Sequence, residues 1–152
     1  MTYSTIEAAA RGLLQDLSQF DDDDVTRGDF RVLDRGSPPY AVLYPGPVQI
    51  RDYGDWGEKL FVWTMHCEVF ERYLDDGSSY TDLETTRQNV VELFNSRPTM
   101  GGVSNVIYVG VERGEALKFI YDRDGGGPHF IMQRLVVTVH ETANYAGSGE
   151  FA

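Results

Sequence analysis

Hydrophobic and polar positions alternate most cleanly over residues 59–74, KLFVWTMHCEVFERYL. Phe61, Trp63, Met65, Cys67 and Val69 form an apolar set, whereas Leu60, Val62, Thr64, His66, Glu68 and Phe70 form a mixed one. Successive side chains of a strand point to opposite faces. A period of two therefore predicts a long strand with one face on a core and the other towards water or a partner. Its Trp, Phe, Val and Thr content suits a pleated surface.

Elsewhere the spacing turns helical. Ile6, Ala9, Ala10, Leu13, Leu14 and Leu17 follow Ser4 and Glu7 in capping-box register, which predicts a helix from Thr5 to Leu17. Gly12 inside it costs roughly 1 kcal/mol. Leu83, Val90, Val91 and Phe94 line a second helix, opened by a Thr81/Glu84 capping box and closed at Arg97-Pro98. Short strands are expected at residues 30–33 and 40–44, and Pro45-Gly46-Pro47 is expected to break the chain before another at 48–53. A hairpin at Gly54-Asp55-Trp56-Gly57 leads into the long strand. After the second helix, Val103, Asn105, Ile107, Val109 and Val111 share one strand face, with Val106 and Tyr108 on the other. Turns at Arg113-Gly114-Glu115 and at residues 124–128 then fold a meander that ends with a strand at 130–141. The expected architecture is α+β: a single domain over residues 1–142, mainly antiparallel sheet with two amphipathic helices packed against it. Residues 143–152 lose periodicity and read as a flexible C-terminal tail.

Composition sharpens this picture at a few points. The 152 residues suffice for one core, and 41% hydrophobic content marks a folding chain. Twenty-four acidic against 13 basic side chains give a net charge of -11, which argues against direct binding of duplex nucleic acid. It suits a surface past which DNA slides, or simply a soluble protein. A single cysteine, Cys67, excludes an internal disulfide. The N-terminus lacks a basic and apolar leader pattern, and no run reaches membrane-spanning length, so cytoplasmic synthesis and no membrane partner are expected.

No catalytic or metal constellation emerges. His66 and Cys67 are strand neighbours and point apart, and the separation of His129 and His140 places them on opposite faces. Gly125, Gly126 and Gly127 lack the Lys-Ser/Thr of a phosphate loop and precede a strand, so they read as a hairpin tip. Asp21, Asp22, Asp23 and Asp24 lack the alternation of a calcium loop and read as a solvated stretch. Tyr53 and Trp56 at a hairpin end, with the glycine tip, are candidate partner contacts. No enzyme, cofactor or metal is expected.

The order of elements carries a resemblance. A capped N-terminal helix, strands, the aromatic strand Phe61-Val62-Trp63-Thr64-Met65, a second helix, the break Pro98-Thr99-Met100-Gly101-Gly102, a strand-rich half and a short tail follow one another from Ser4 to Thr142. At this length the order resembles the tail terminator (minor tail, or tail completion) proteins of long-tailed bacteriophages. That family has no short invariant signature to match. The resemblance implies a virion structural protein, made in the host cytoplasm and located in the tail, which closes with itself into a hexameric ring. Such a ring caps the tail tube protein, stops polymerisation and offers a surface to the neck or head-completion protein. DNA would pass only as cargo, with Asp21 to Asp24 as candidate lumen-facing acids. A neck or head–tail joining protein is the alternative within the class. A small ligand-binding module, with a pocket between the second helix and the sheet, is the alternative outside it.

Overall fold

A computed structural model describes residues 2–30, 39–54, 57–74, 77–121 and 128–144. Its elements run α1 (Thr2–Gln15), β1 (Val25–Arg27), β2 (Tyr40–Asp52), β3 (Glu58–Arg72), α2 (Ser78–Asn95), β4 (Val106–Gly114), β5 (Lys118–Tyr121) and β6 (Pro128–Asn144). The strands make one sheet in the order β1-β2-β3-β6-β4, and β5 also pairs with β6. Only β1 and β2 are parallel; the other paired strands are antiparallel. This is the α+β architecture that the periodicities predict.

The long alternating strand, β3, does lie inside the sheet. It pairs without interruption from Glu58↔Asn144 to Arg72↔Phe130 with β6, and along its other edge with β2. Met65, Cys67 and Val69 are fully buried against the helices, with Leu135, Val137 and Val139 of β6 beside them. Each helix adds its apolar stripe to this layer: Ile6, Ala10 and Leu14 from α1, and Leu83, Val90 and Phe94 from α2. Thr86 on the same stripe of α2 donates to Glu71 Oε1 at 3.0 Å, which satisfies a carboxylate that burial pushes towards its protonated form.

Several expectations are corrected. Neither capping box caps. α1 already begins at Thr2, so Ser4 and Glu7 lie within it and bind Arg27 of β1 instead, at 3.1 Å and 2.9 Å. α2 begins at Ser78, after Gly77 at φ 81, a left-handed position that glycine adopts without strain. Pro45-Gly46-Pro47 does not break the chain either. β2 runs straight through it with a register shift between Pro45 and Val48. Proline is tolerated there because β1 covers only Ala41 to Leu43, which leaves the distal half of β2 as a sheet edge. Gly46 fits because a Cβ at that position would sit 2.7 Å from His66 Nε2.

β4 and β5 form no meander. Both lie along the same edge of β6, end to end, with residues 115–117 as a jog between them. β3 and β4 are thus parallel, joined through α2, with β6 inserted between them as a split βαβ unit. A register shift between Val106 and Tyr108 turns Val106 inward and exposes Ile107, reversing the faces expected for those two residues. The expected strand at 30–33 falls largely outside the described residues, and the short β1 was not anticipated. Of the expected C-terminal tail, Ala143 and Asn144 still belong to β6 and the remainder lies outside the described residues.

Candidate functional site

Both helices pack on one face of the sheet, so the chemistry of interest is on the other. There Tyr40, Val42, Phe70, Phe130 and Met132 form a second apolar cluster at one end, with Phe30 edge-on to Phe70 at 6.4 Å. Next to it a polar stripe crosses the sheet. The Tyr44 hydroxyl donates to Glu68, and Arg134 reaches both Glu68, at 3.4 Å, and Glu115, at 3.3 Å. Arg113 extends the stripe to Glu115 at 3.9 Å. Arg134 also lies 5.8 Å over the Tyr44 ring. Glu68 is buried, and every charge in the stripe has a partner of opposite sign.

Beyond the stripe the face opens into a trough of about 600 Å³, floored by β3 and β6 and walled by distal β2 and by β4. Its lining includes Gln49, Arg51, Val62, Thr64, His66, Tyr108, Thr138 and His140. The register explains why these residues meet: Val62 pairs with His140, Thr64 with Thr138, and Tyr108 with His140. His66 packs against Tyr44 with the rings tilted and their centroids 5.0 Å apart, and its Nδ1 is buried without a hydrogen-bond partner among the described residues. Burial, then the nearby Arg134, holds its imidazole below the usual value; burial and Arg51 do the same to His140. The Tyr108 and His140 rings are 4.8 Å apart.

His66 and His140 share this face, but the Thr64–Thr138 pair separates them. Among the described residues no group of His, Cys, Asp or Glu is placed to hold a metal ion. Cys67 points the other way into the core, where burial pushes its thiol up to about 12. The trough is lined by polar and charged groups, and among the described residues it brings together no nucleophile and base. It also lies on the face opposite the helix–sheet layer, where the alternative ligand-binding module would have its pocket and where the described apolar side chains of α2 pack into the core.

The edges and the hairpin end supply contact surface. Val48 and Ile50 are exposed on the helix-side face next to Phe61 and Trp63, beyond the reach of α1 except where Tyr3 meets Trp63 at 5.4 Å. Tyr53 is exposed at the hairpin end. On the opposite edge Ile107, Tyr108, Phe119 and Tyr121 are exposed. Trp56, Gly125, Gly126 and Gly127 lie outside the described residues. Asp21, Asp22 and Asp23 are exposed, but Asp24 is buried, so the acidic run is not uniformly solvated. Sequence reasoning missed Ile50, Arg51 and Tyr108, which look unremarkable in the chain until the pairing places them at an open edge or in the trough.

No family model matches the chain, and no curated protein matches it. Among solved structures the fold is similar to a chain of the virion of a native gene transfer agent (GTA) particle. The TM-score is 0.60 at 11% identity, over 90% of this chain and 94% of that one.

Proposed function

We propose that this chain is a structural subunit of a phage-like virion and, within it, the tail terminator. It closes into a hexameric ring on the end of the tail tube, stops further polymerisation and offers its outer surface to a neck or head-completion protein. The observation that carries this reading is the likeness in fold to a chain of a GTA virion over nearly the full length of both chains. The surfaces support it. Among the described residues the sheet has an unpaired edge at distal β2 and another at β4 and β5, and each exposes apolar side chains. Self-association can bury such edges, and a contact between unlike surfaces closes into a ring when its rotation permits.

In this reading Tyr53, Trp56 and the Gly125–Gly127 tip contact neighbouring subunits or the tube, and Asp21 to Asp23 face the passing DNA with like charge. Asp24, being buried, contributes less to that surface. The reading calls for no enzymatic activity and no cofactor. Native mass across a concentration series, with negative-stain images of the same sample, tests it. The expected result is a closed ring with a central hole. A monomer at every concentration that also leaves purified tube ends bare would refute the proposal.

A further inference from the structure

We infer that the trough on the uncovered face of the sheet receives the outer face of α2 from a second copy of the chain. This rests on the ring reading and adds to it the contact that joins one subunit to the next.

Layering gives the first argument. α1 and α2 both cover one face, and no helix covers the trough among the described residues. An antiparallel sheet tolerates one face towards water, so this open face is available to a layer supplied by another molecule. A chain cannot supply that layer from its own α2, which is fixed on the opposite face by Leu83, Val90 and Phe94. A neighbouring copy can. The contact is then front to back between unlike surfaces, which propagates around a ring.

Charge gives the second. The chain carries -11 overall, yet Arg51 at the trough rim donates to Gln49 and meets no carboxylate among the described residues. The other charged side chains of the lining, Arg113 and Glu112, pair with each other at 3.5 Å, so Arg51 leaves the trough net positive, and at its far end His66 Nδ1 is buried and unpartnered. The outer face of α2 has the complementary sign: Asp82, Glu84 and Glu92 are exposed, and Arg87 is the sole cation within Ser78–Asn95. Aromatic exposure matches on the two sides, Tyr108 at 48% on the trough wall and Tyr80 at 45% on the helix. Tyrosines of this kind are characteristic of subunit contacts.

Charge reversal tests the pairing. Sedimentation velocity compares the wild type with Arg51→Glu, with the triple variant Asp82→Lys/Glu84→Lys/Glu92→Lys, and with the four changes combined. Thermal unfolding of each checks that these exposed substitutions leave the subunit folded. Arg51→Glu and the triple variant are each expected to weaken self-association at least about tenfold, and the combination to recover most of the loss. Rings that form at wild-type strength in both partial variants, or a combination that recovers nothing, would overturn this contact and leave the ring reading standing. A wild type that never self-associates, in solution or on tube ends, would overturn both.

Discussion

Removing the Arg134 guanidinium should destabilise the subunit far more than its partly exposed position suggests. Arg134 Nε lies 3.4 Å from Oε2 of Glu68, whose side chain is 7% exposed, while the arginine is 29% exposed. At an effective dielectric of about 20, opposite unit charges at that distance attract by about 5 kcal/mol before desolvation is subtracted. Desolvating both groups consumes much of this, so the surviving coupling should be about 1–2 kcal/mol. Arg134→Met keeps the aliphatic stem over the sheet but strips Glu68 of its cation, leaving the Tyr44 hydroxyl as its remaining side-chain partner among the described residues. It also releases Glu115. The expected loss is about 2–3 kcal/mol, because a buried carboxylate is left without compensating charge. Glu68→Gln should cost less, and Glu68→Gln/Arg134→Met should cost less than the sum of the two. Urea titrations followed by tryptophan fluorescence measure all four corners of the cycle. A coupling under about 0.5 kcal/mol would show that the stripe behaves as ordinary surface charge, and would refute the reasoning.

Other expectations follow from the same face and from the core. Gly46→Ala places a methyl 2.7 Å from His66 Nε2 and 2.9 Å from Thr64 Cγ2, and should cost about 1–3 kcal/mol in a urea titration, less in a His66→Ala background. His66 and His140 are both held below 6.5 in the folded chain, so the unfolded chain binds more protons around that pH. Their contribution to stability is complete above 6.5 and is lost as pH falls below it; the urea midpoint should drop between about pH 7.5 and 5.5, and less steeply in His66→Gln/His140→Gln. Cys67 should resist a thiol reagent at about pH 8 until urea unfolds the chain, since burial keeps it protonated and out of reach; rapid labelling of the native protein would contradict its place in the core.

The fold was legible where one local pattern decides the outcome. The alternation from Phe61 to Val69 picked out β3 and its buried face, and Leu83, Val90 and Phe94 picked out the stripe of α2. It was obscure where tertiary contacts override local chemistry. Ser4 and Glu7 have capping-box spacing, yet Arg27 claims both side chains. Pro45 and Pro47 look like a break, yet an edge strand needs no N–H from them. The end-to-end placement of β4 and β5 on β6 depends on pairing between distant residues, which hairpin-length spacing does not encode.

The trough was hidden for the same reason. His66 was visible on a mixed strand face, but Arg51, Tyr108 and His140 come from other strands, and only the register brings them together. The bulge at Ile107 adds to this, because it returns Tyr108 to the trough wall while Val106 and Val109 both face the core. The exposure of Ile50 likewise depends on how far α1 reaches along the sheet, a length that the alternation of β2 does not specify.

In the proposed role this chain ends a tube. The most direct test of that role is to polymerise the tail tube protein of the same particle with and without this protein and to image the tube ends by electron microscopy. A terminator gives shorter tubes, each carrying at one end an added ring whose density fits this subunit. Tubes of unchanged length with bare ends would contradict it.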